Sequence, residues 1–293
     1  NTSRSIHRCI KNKQGELKMI IWIASYPKSG NTWLRAFLST YLYSESDKFD
    51  FSLLKKIPKF PYKKLFDGII NIEILKKDKF AILKYFIAAQ QKLNLDNSIK
   101  LLKTHNAYLS FKGNWFSDEK NTKAFIYIVR DPRSVALSLS SYQNISVEKA
   151  TDLMLNQNSF GSEDKDGLMI DIRSSWKINY LSWKKQKKFK GIIMKYEDLK
   201  KEPLIQFTKI LNFLKNYIDL DVNSKKIKQC IDLCDFKKLQ NLESKLGFDE
   251  AISSNPFFRK AELDEWKKLL NKETKNKIES NFGREMKELG YLS

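Results

Sequence analysis

The chemistry-bearing residues of this chain begin in the run Tyr26-Pro27-Lys28-Ser29-Gly30-Asn31-Thr32-Trp33. It follows the apolar stretch Met19-Ile20-Ile21-Trp22-Ile23-Ala24, which reads as a buried strand, and it leads into a helical pattern over 32–43. A strand, a short loop and a helix start leave backbone N–H groups without intrahelical partners, and such groups hold anions. Lys28 adds a full positive charge, Thr32 a hydroxyl donor, and Trp33 a flat face on which a base can stack. The combination is a cradle for a phosphate. It is not a Walker A loop, because Pro27 and Lys28 precede its only glycine.

A second strand-to-helix junction lies at 124–138. The apolar run Ala124-Phe125-Ile126-Tyr127-Ile128-Val129 ends in Arg130-Asp131-Pro132, with Pro132 suited to a first helical turn. Arg130 therefore stands at the C-terminal end of a strand, where open α/β sheets bind ligands. Ser138 lies two turns into the helix and faces the same ligand only if that ligand runs along the helix. Arginine is scarce, eight of 54 basic residues, and it is the side chain suited to bidentate phosphate binding. Histidine occurs only at His7 and His105, which excludes a His-rich metal site. His105 closes the run Lys103-Thr104-His105 at another strand end.

The elements that must position these residues are short apolar runs alternating with helical patterns. Strands are expected at 19–25, 99–104, 124–129 and 191–196, and helices at 32–43, 72–92, 132–142, 172–188, 203–215 and 224–236. The run 263–289 reads as two helices broken near Asn271. This alternation points to an α/β domain with a largely parallel sheet. Segments 52–68, 156–167 and 240–260 read as irregular binding loops or lids. No linker divides 19–293, which is taken as one domain behind a polar, basic extension, 1–18, that can stay disordered. No apolar run approaches the roughly 20 residues of a membrane helix, and 1–18 lacks the apolar segment of a signal peptide. Three cysteines, Cys9, Cys230 and Cys234, form no disulfide framework and suit a reducing, cytoplasmic setting. The net charge of +20 is carried mostly by dispersed lysines. It leaves a P-loop kinase or NTPase, or a basic nucleic-acid-binding protein, as alternatives to be weighed.

Together the motifs resemble those of the cytosolic-type sulfotransferases that use 3′-phosphoadenosine 5′-phosphosulfate (PAPS). The first run differs from that family's loop only in Asn31, which stands for Thr. The resemblance implies a P-loop-NTPase-like three-layer fold, a central mainly parallel sheet flanked by helices. It implies sulfuryl transfer to a hydroxyl or amine, with Lys28, Lys103 and His105 catalytic and His105 the general base. It implies that Lys28, Ser29, Gly30, Asn31, Thr32 and Trp33 hold the 5′ end of PAPS, and that Arg130 and Ser138 hold its 3′-phosphate. Tyr196, in Tyr196-Glu197-Asp198, lies on the adenine side. Arg259, Lys260 and Ala261 close on the 3′-phosphate, within a segment whose two family glycines are Ala261 and Asp264 here. No metal is expected. The acceptor is expected to be a small molecule, a glycan or a lipid headgroup, and not a nucleic acid. Phe60, Tyr62, Tyr108 and Phe111 are candidates either for an apolar acceptor pocket or for the core. Residues 275–279 do not reproduce the family's dimerising segment, so no oligomeric state is assigned.

Overall fold

The computed structural model describes residues 19–46, 48–162, 164, 166–252, 255–260 and 262–293. The extension 1–18, with His7 and Cys9, and the site candidate Ala261 lie outside the described residues.

Strand β1 (Ile20–Ser25) runs into helix α1 (Asn31–Tyr43). Helices α2 (Ile72–Lys77) and α3 (Phe86–Asn94) lead to β2 (Lys100–Thr104). A small hairpin, β3 (Ser110–Phe111) and β4 (Asn114–Trp115), precedes β5 (Thr122–Val129). Helices α4 (Pro132–Gln143) and α5 (Val147–Leu155) follow, then the hairpin β6 (Phe160–Ser162) and β7 (Ile170–Ile172). The chain continues through α6 (Trp176–Lys185), β8 (Lys190–Lys195), α7 (Tyr196–Lys201) and α8 (Pro203–Leu214). It ends with α9 (Ser224–Leu233), α10 (Phe236–Leu246), α11 (Trp266–Leu269) and α12 (Lys272–Glu288).

The four expected strands form one parallel sheet in the order β2-β1-β5-β8. All six residues of β1 are buried, as a central strand covered on both faces requires. Alternate residues enter different cores. Ile20, Trp22 and Ala24 pack with Trp176, Tyr180 and Trp183 of α6. Ile21 and Ile23 pack with Leu34 and Phe37 of α1 and Phe207 of α8. Two helical layers therefore sandwich the sheet, as expected. Cys230 and Cys234 are buried free thiols.

Several boundaries differ from the sequence expectation. The helix expected over 72–92 is interrupted by a 3-10 segment, Lys79–Tyr85, because the Asp78 carboxylate caps Phe80 N–H and starts a new turn. The helix expected over 172–188 begins at Trp176, where Ser175 caps Ile178 N–H. The three residues before Arg173 are drawn into strand β7 instead. The segment 240–260 is helical as far as Leu246, and the unforeseen α5 fills part of the region after α4. The break near Asn271 is real: its side chain caps Thr274 N–H and starts α12.

Trp183, fully buried on α6, donates from Nε1 to the Asn106 carbonyl at 2.9 Å, and so ties the core to the chain just beyond His105. Trp183→Ala is expected to lower unfolding free energy by about 3–5 kcal/mol through the cavity and the lost hydrogen bond. Denaturant titration checks this, and a loss below about 1 kcal/mol would show that Trp183 does not hold this segment.

Candidate active site

Parallel register brings the strand ends to within two residues of one level. Ala24 pairs with Thr104 of β2 and Ser25 with Ile128 of β5, while Val129 pairs with Lys195 of β8. The residues that follow, Tyr26 to Gly30, His105, Arg130 and Tyr196, therefore emerge along one edge. Of these, Pro27, Lys28, Gly30, His105, Arg130 and Tyr196 line a cavity of about 710 Å³.

Gly30 is the N-cap of α1, in the left-handed region at φ 98°, and no side chain caps the helix start. The first-turn N–H groups are not consumed by a capping side chain and remain suited to an anion. Glycine is required here twice over. A Cβ would meet the Tyr196 ring at 2.4 Å, and the φ itself disfavours any other residue. Asn31 turns away from the cavity with its amide, which donates to the Ile23 carbonyl at 3.0 Å and to Ser25 Oγ at 3.1 Å. Ser29 is fully buried behind the loop, does not line the cavity, and its Oγ has no hydrogen-bond partner. Trp33 lines the cavity with its Nε1 donated to the Cys234 carbonyl.

Lys28 lies between aromatic faces, its Nζ 4.2 Å from the Tyr142 ring centroid and 3.6 Å from that of Phe257. Burial first, and then the positive charges of Arg130 and Lys103, push its pKa down to about 7. Arg130 donates to the Lys28 carbonyl at 3.2 Å and stacks on the Tyr196 ring at 4.5 Å. Its Nε is buried without a hydrogen-bond partner. The neighbouring Asp131 does not pair with it; that carboxylate pairs with Arg133 at 2.7 Å and caps α4. Ser138 reaches the same cavity from α4. Tyr196 opens α7 rather than ending β8, because the chain turns helical immediately after Lys195.

His105 Nδ1 lies 2.8 Å from the Ser25 carbonyl and 3.3 Å from Ser25 Oγ. A carbonyl only accepts, so the neutral ring carries its proton on Nδ1 and Nε2 is the basic nitrogen. The His105 carbonyl in turn accepts from the Asn179 amide at 2.9 Å, and Asn106 Oδ1 accepts from Ile172 N–H at 2.7 Å. The His105-Asn106 segment is thus held from β1, α6 and β7 together.

The segment after α10 folds over the opening. Glu243 accepts the N–H groups of Phe257 and Phe258 at 2.6 and 2.9 Å, and the Gln240 amide donates to the Phe258 and Arg259 carbonyls. Arg259 forms a bidentate pair with Glu265, and Lys260 Nζ lies 3.3 Å from the same carboxylate. Both cations line the cavity, partly neutralised.

Lys28, Gly30, Asn31, Thr32, Trp33, Lys103, His105, Arg130, Ser138, Tyr196, Arg259 and Lys260 are thus all brought to one cavity. Phe60, Tyr62, Tyr108 and Phe111 do not line it and pack into or against the core. Sequence reasoning missed Glu250. Its carboxylate meets Arg35 Nη1 at 2.7 Å and lies 3.9 Å from Lys103 Nζ. Burial alone would raise this carboxyl, but Arg35 and Lys103 outweigh it and hold it well below the usual carboxylate range. Arginine scarcity was the available signal, since Arg35 is the buried anchor of that pair. Among the described residues, no group of three or more His, Cys, Asp or Glu is placed to hold a metal ion, and no helix is long and apolar enough to cross a membrane.

Gly30→Ala is expected to cost about 1–3 kcal/mol of stability through backbone strain and the clash with Tyr196. Adding Tyr196→Ala should recover the steric part only. Equal unfolding midpoints for wild type and Gly30→Ala would show that the loop does not need this geometry.

Known proteins are similar to this chain in sequence and in fold. The flavonol 3-sulfotransferase of Flaveria bidentis is 29% identical over 272 residues, covering 88% of this chain and 79% of the relative. The fold is similar to that of mouse sulfotransferase SULT7A1 complexed with PAP, with a TM-score of 0.58, 20% identity, and 92% and 84% of the two chains covered. It is also similar to that of retinol dehydratase in complex with androsterone and the inactive cofactor PAP, with a TM-score of 0.58, 16% identity, and 92% and 80% covered. The sulfotransferase domain family model matches residues 19–290, nearly all of the sheet, its flanking helices and the cavity at their edge, and the chain belongs to that family.

Proposed function

We propose that the protein transfers a sulfuryl group from PAPS to a hydroxyl or amine, with His105 as general base and Lys28 stabilising the leaving phosphate. The observation that carries this is the meeting, in one cavity, of an uncapped helix start, the half-buried cations Lys28 and Arg130 and an oriented histidine. The cavity suits a bisphosphorylated nucleotide. Arg130 Nε is a buried donor lacking a partner, which an anion would satisfy. Arg259 and Lys260 supply further charge on the same wall. The solved relatives bound to PAP support the same assignment.

PAPS supplies the sulfuryl group when bound. Lys28 and the N–H groups of 29–32 then hold the charge gathering on the 5′-phosphate, a preorganised effect of the oxyanion-hole kind. His105 Nε2 receives the acceptor proton, and the Ser25 carbonyl steadies the imidazolium through Nδ1–H. Lys103 offsets negative charge beside it. Trp33 and Tyr196 flank the nucleotide, with Ser138 and Arg130 on its 3′-phosphate. Relatives named as cytosolic sulfotransferases support a cytoplasmic setting.

Calorimetry with PAP and ATP, without magnesium, tests the donor. Micromolar PAP binding that is lost in Arg130→Ala is expected, with ATP far weaker; equal or tighter ATP binding would overturn the reading in favour of a kinase or NTPase. Lys28 is largely neutral in the free protein above its pKa of about 7, and a bound phosphate favours its ammonium form. PAP binding at pH 8 should therefore take up nearly one proton, about 0.9, falling toward zero as the pH drops below 7 and vanishing in Lys28→Arg.

His105→Ala should lower kcat by about 10²–10⁴ while leaving PAP affinity within about twofold. Near-normal turnover in that variant would remove His105 as the base.

A further inference from the structure

We propose that the acceptor is a neutral, hydroxyl-rich molecule of the carbohydrate class, an inference that rests on the sulfuryl-transfer reading above. The wall on the His105 side of the cavity is charged and mixed in sign. It is built from Lys59, Ser162, Asp164, Arg173, Asp249 and Glu250.

Their placement beside the base follows from the backbone. Lys59 pairs with Lys103 in a parallel bridge, fixed by hydrogen bonds from Phe60 N–H to the Lys103 carbonyl and from Lys103 N–H to the Pro58 carbonyl. The β6–β7 hairpin docks on the chain after His105, where Ala107 N–H donates to the Ile172 carbonyl at 2.7 Å. The Asn179 amide joins the His105 and Arg173 carbonyls, so Arg173 follows the hairpin at the level of the base. Asp171 holds Arg173 Nε at 2.9 Å, and the guanidinium lies across Gly161, where a Cβ would sit 1.8 Å from Cζ. Asp164 Oδ1 accepts from Ser162 Oγ and Met169 N–H, while Asp164 Oδ2 is buried with no hydrogen-bond partner.

A flat apolar acceptor seated here would strip water from these groups without replacing its hydrogen bonds, at a cost of kilocalories per group. A sugar offers both donors and acceptors, and a hydroxyl would satisfy Asp164 Oδ2. Both signs are present in comparable number, which favours a neutral acceptor over an anionic one. Four aromatics of neighbouring segments are committed elsewhere. Phe80, Phe111 and Phe160 pack on one another, and Phe60 is fully buried against Trp22. Of the rings that line the cavity, Tyr142 and Phe257 embrace Lys28, and Phe236 and Phe258 pack on each other and form, with Leu239 and Ile252, the apolar part of its lining.

The test compares sulfate transfer from labelled PAPS to methyl glycosides of glucose, galactose, mannose and N-acetylglucosamine with transfer to 2-naphthol and estradiol. A kcat/KM for at least one glycoside about tenfold or more above that for either apolar acceptor is expected. No transfer to any glycoside, or equal or better transfer to 2-naphthol or estradiol, overturns the proposal. PAP calorimetry on the same sample separates the two levels. Intact PAP binding with an apolar preference sinks only the acceptor class, whereas absent PAP binding sinks the donor reading beneath it. Asp164→Asn keeps the oxygen that holds Ser162 and Met169 but removes the carboxylate. It should raise the glycoside KM about tenfold with PAP affinity unchanged; an unchanged KM would remove Asp164 from acceptor binding.

Discussion

The site rests on the register of four parallel strands. Parallel pairing of β2, β1, β5 and β8 ends Thr104, Ser25, Val129 and Lys195 within two residues of one level, so the chain after each strand emerges along the same edge. A slip of one residue would send each side chain to the opposite face and separate the basic nitrogen of His105 from the Lys28 loop. Burial on both faces makes such a slip costly, because β1 alone commits six buried residues to two different cores. The hydrogen bond from His105 Nδ1 to the Ser25 carbonyl is a direct product of that register.

Charge is the second organising constraint. The cavity gathers Lys28, Lys103, Arg130, Arg259 and Lys260, which repel one another most where water is partly excluded, as around Lys103. Carboxylates from the covering segment and the chain after it compensate. Glu250 meets Arg35 and approaches Lys103, and Glu265 meets Arg259 and Lys260. Glu243 does not pair with a cation here but fixes two backbone N–H groups of the same segment. The same acids that hold the cover down thus set how much positive charge is left for a ligand. At Lys28 burial, joined by the charges of Arg130 and Lys103, outweighs what Glu250 and Glu243 return, and its proton affinity is lowered.

Much of this could be read from the chain. All four central strands and the helices that begin near Thr32 and at Pro132 followed from short apolar runs leading into helical patterns. The helix broken at Lys79–Tyr85 and the strand β7 were not legible. A local cap at Asp78 overrode helical periodicity, and β7 exists only because β6 is present to pair with it. The two uses open to Phe60 and Tyr108, core or pocket, were decided by burial.

By itself the sequence determined the anion cradle, the strand-end positions of Lys103, His105 and Arg130, and the family, since each depends on contiguous residues whose backbone preferences are local. Only the tertiary structure decided which nitrogen of His105 is basic, that Asn31 faces inward, and that Ser29 stands behind the loop. It also decided that Glu250, 215 residues from Arg35, closes the charge network, and that Arg173 and Asp164 face the same cavity as His105. Such pairings arise from chain segments that meet only when the sheet and its helices pack, and no local pattern records them.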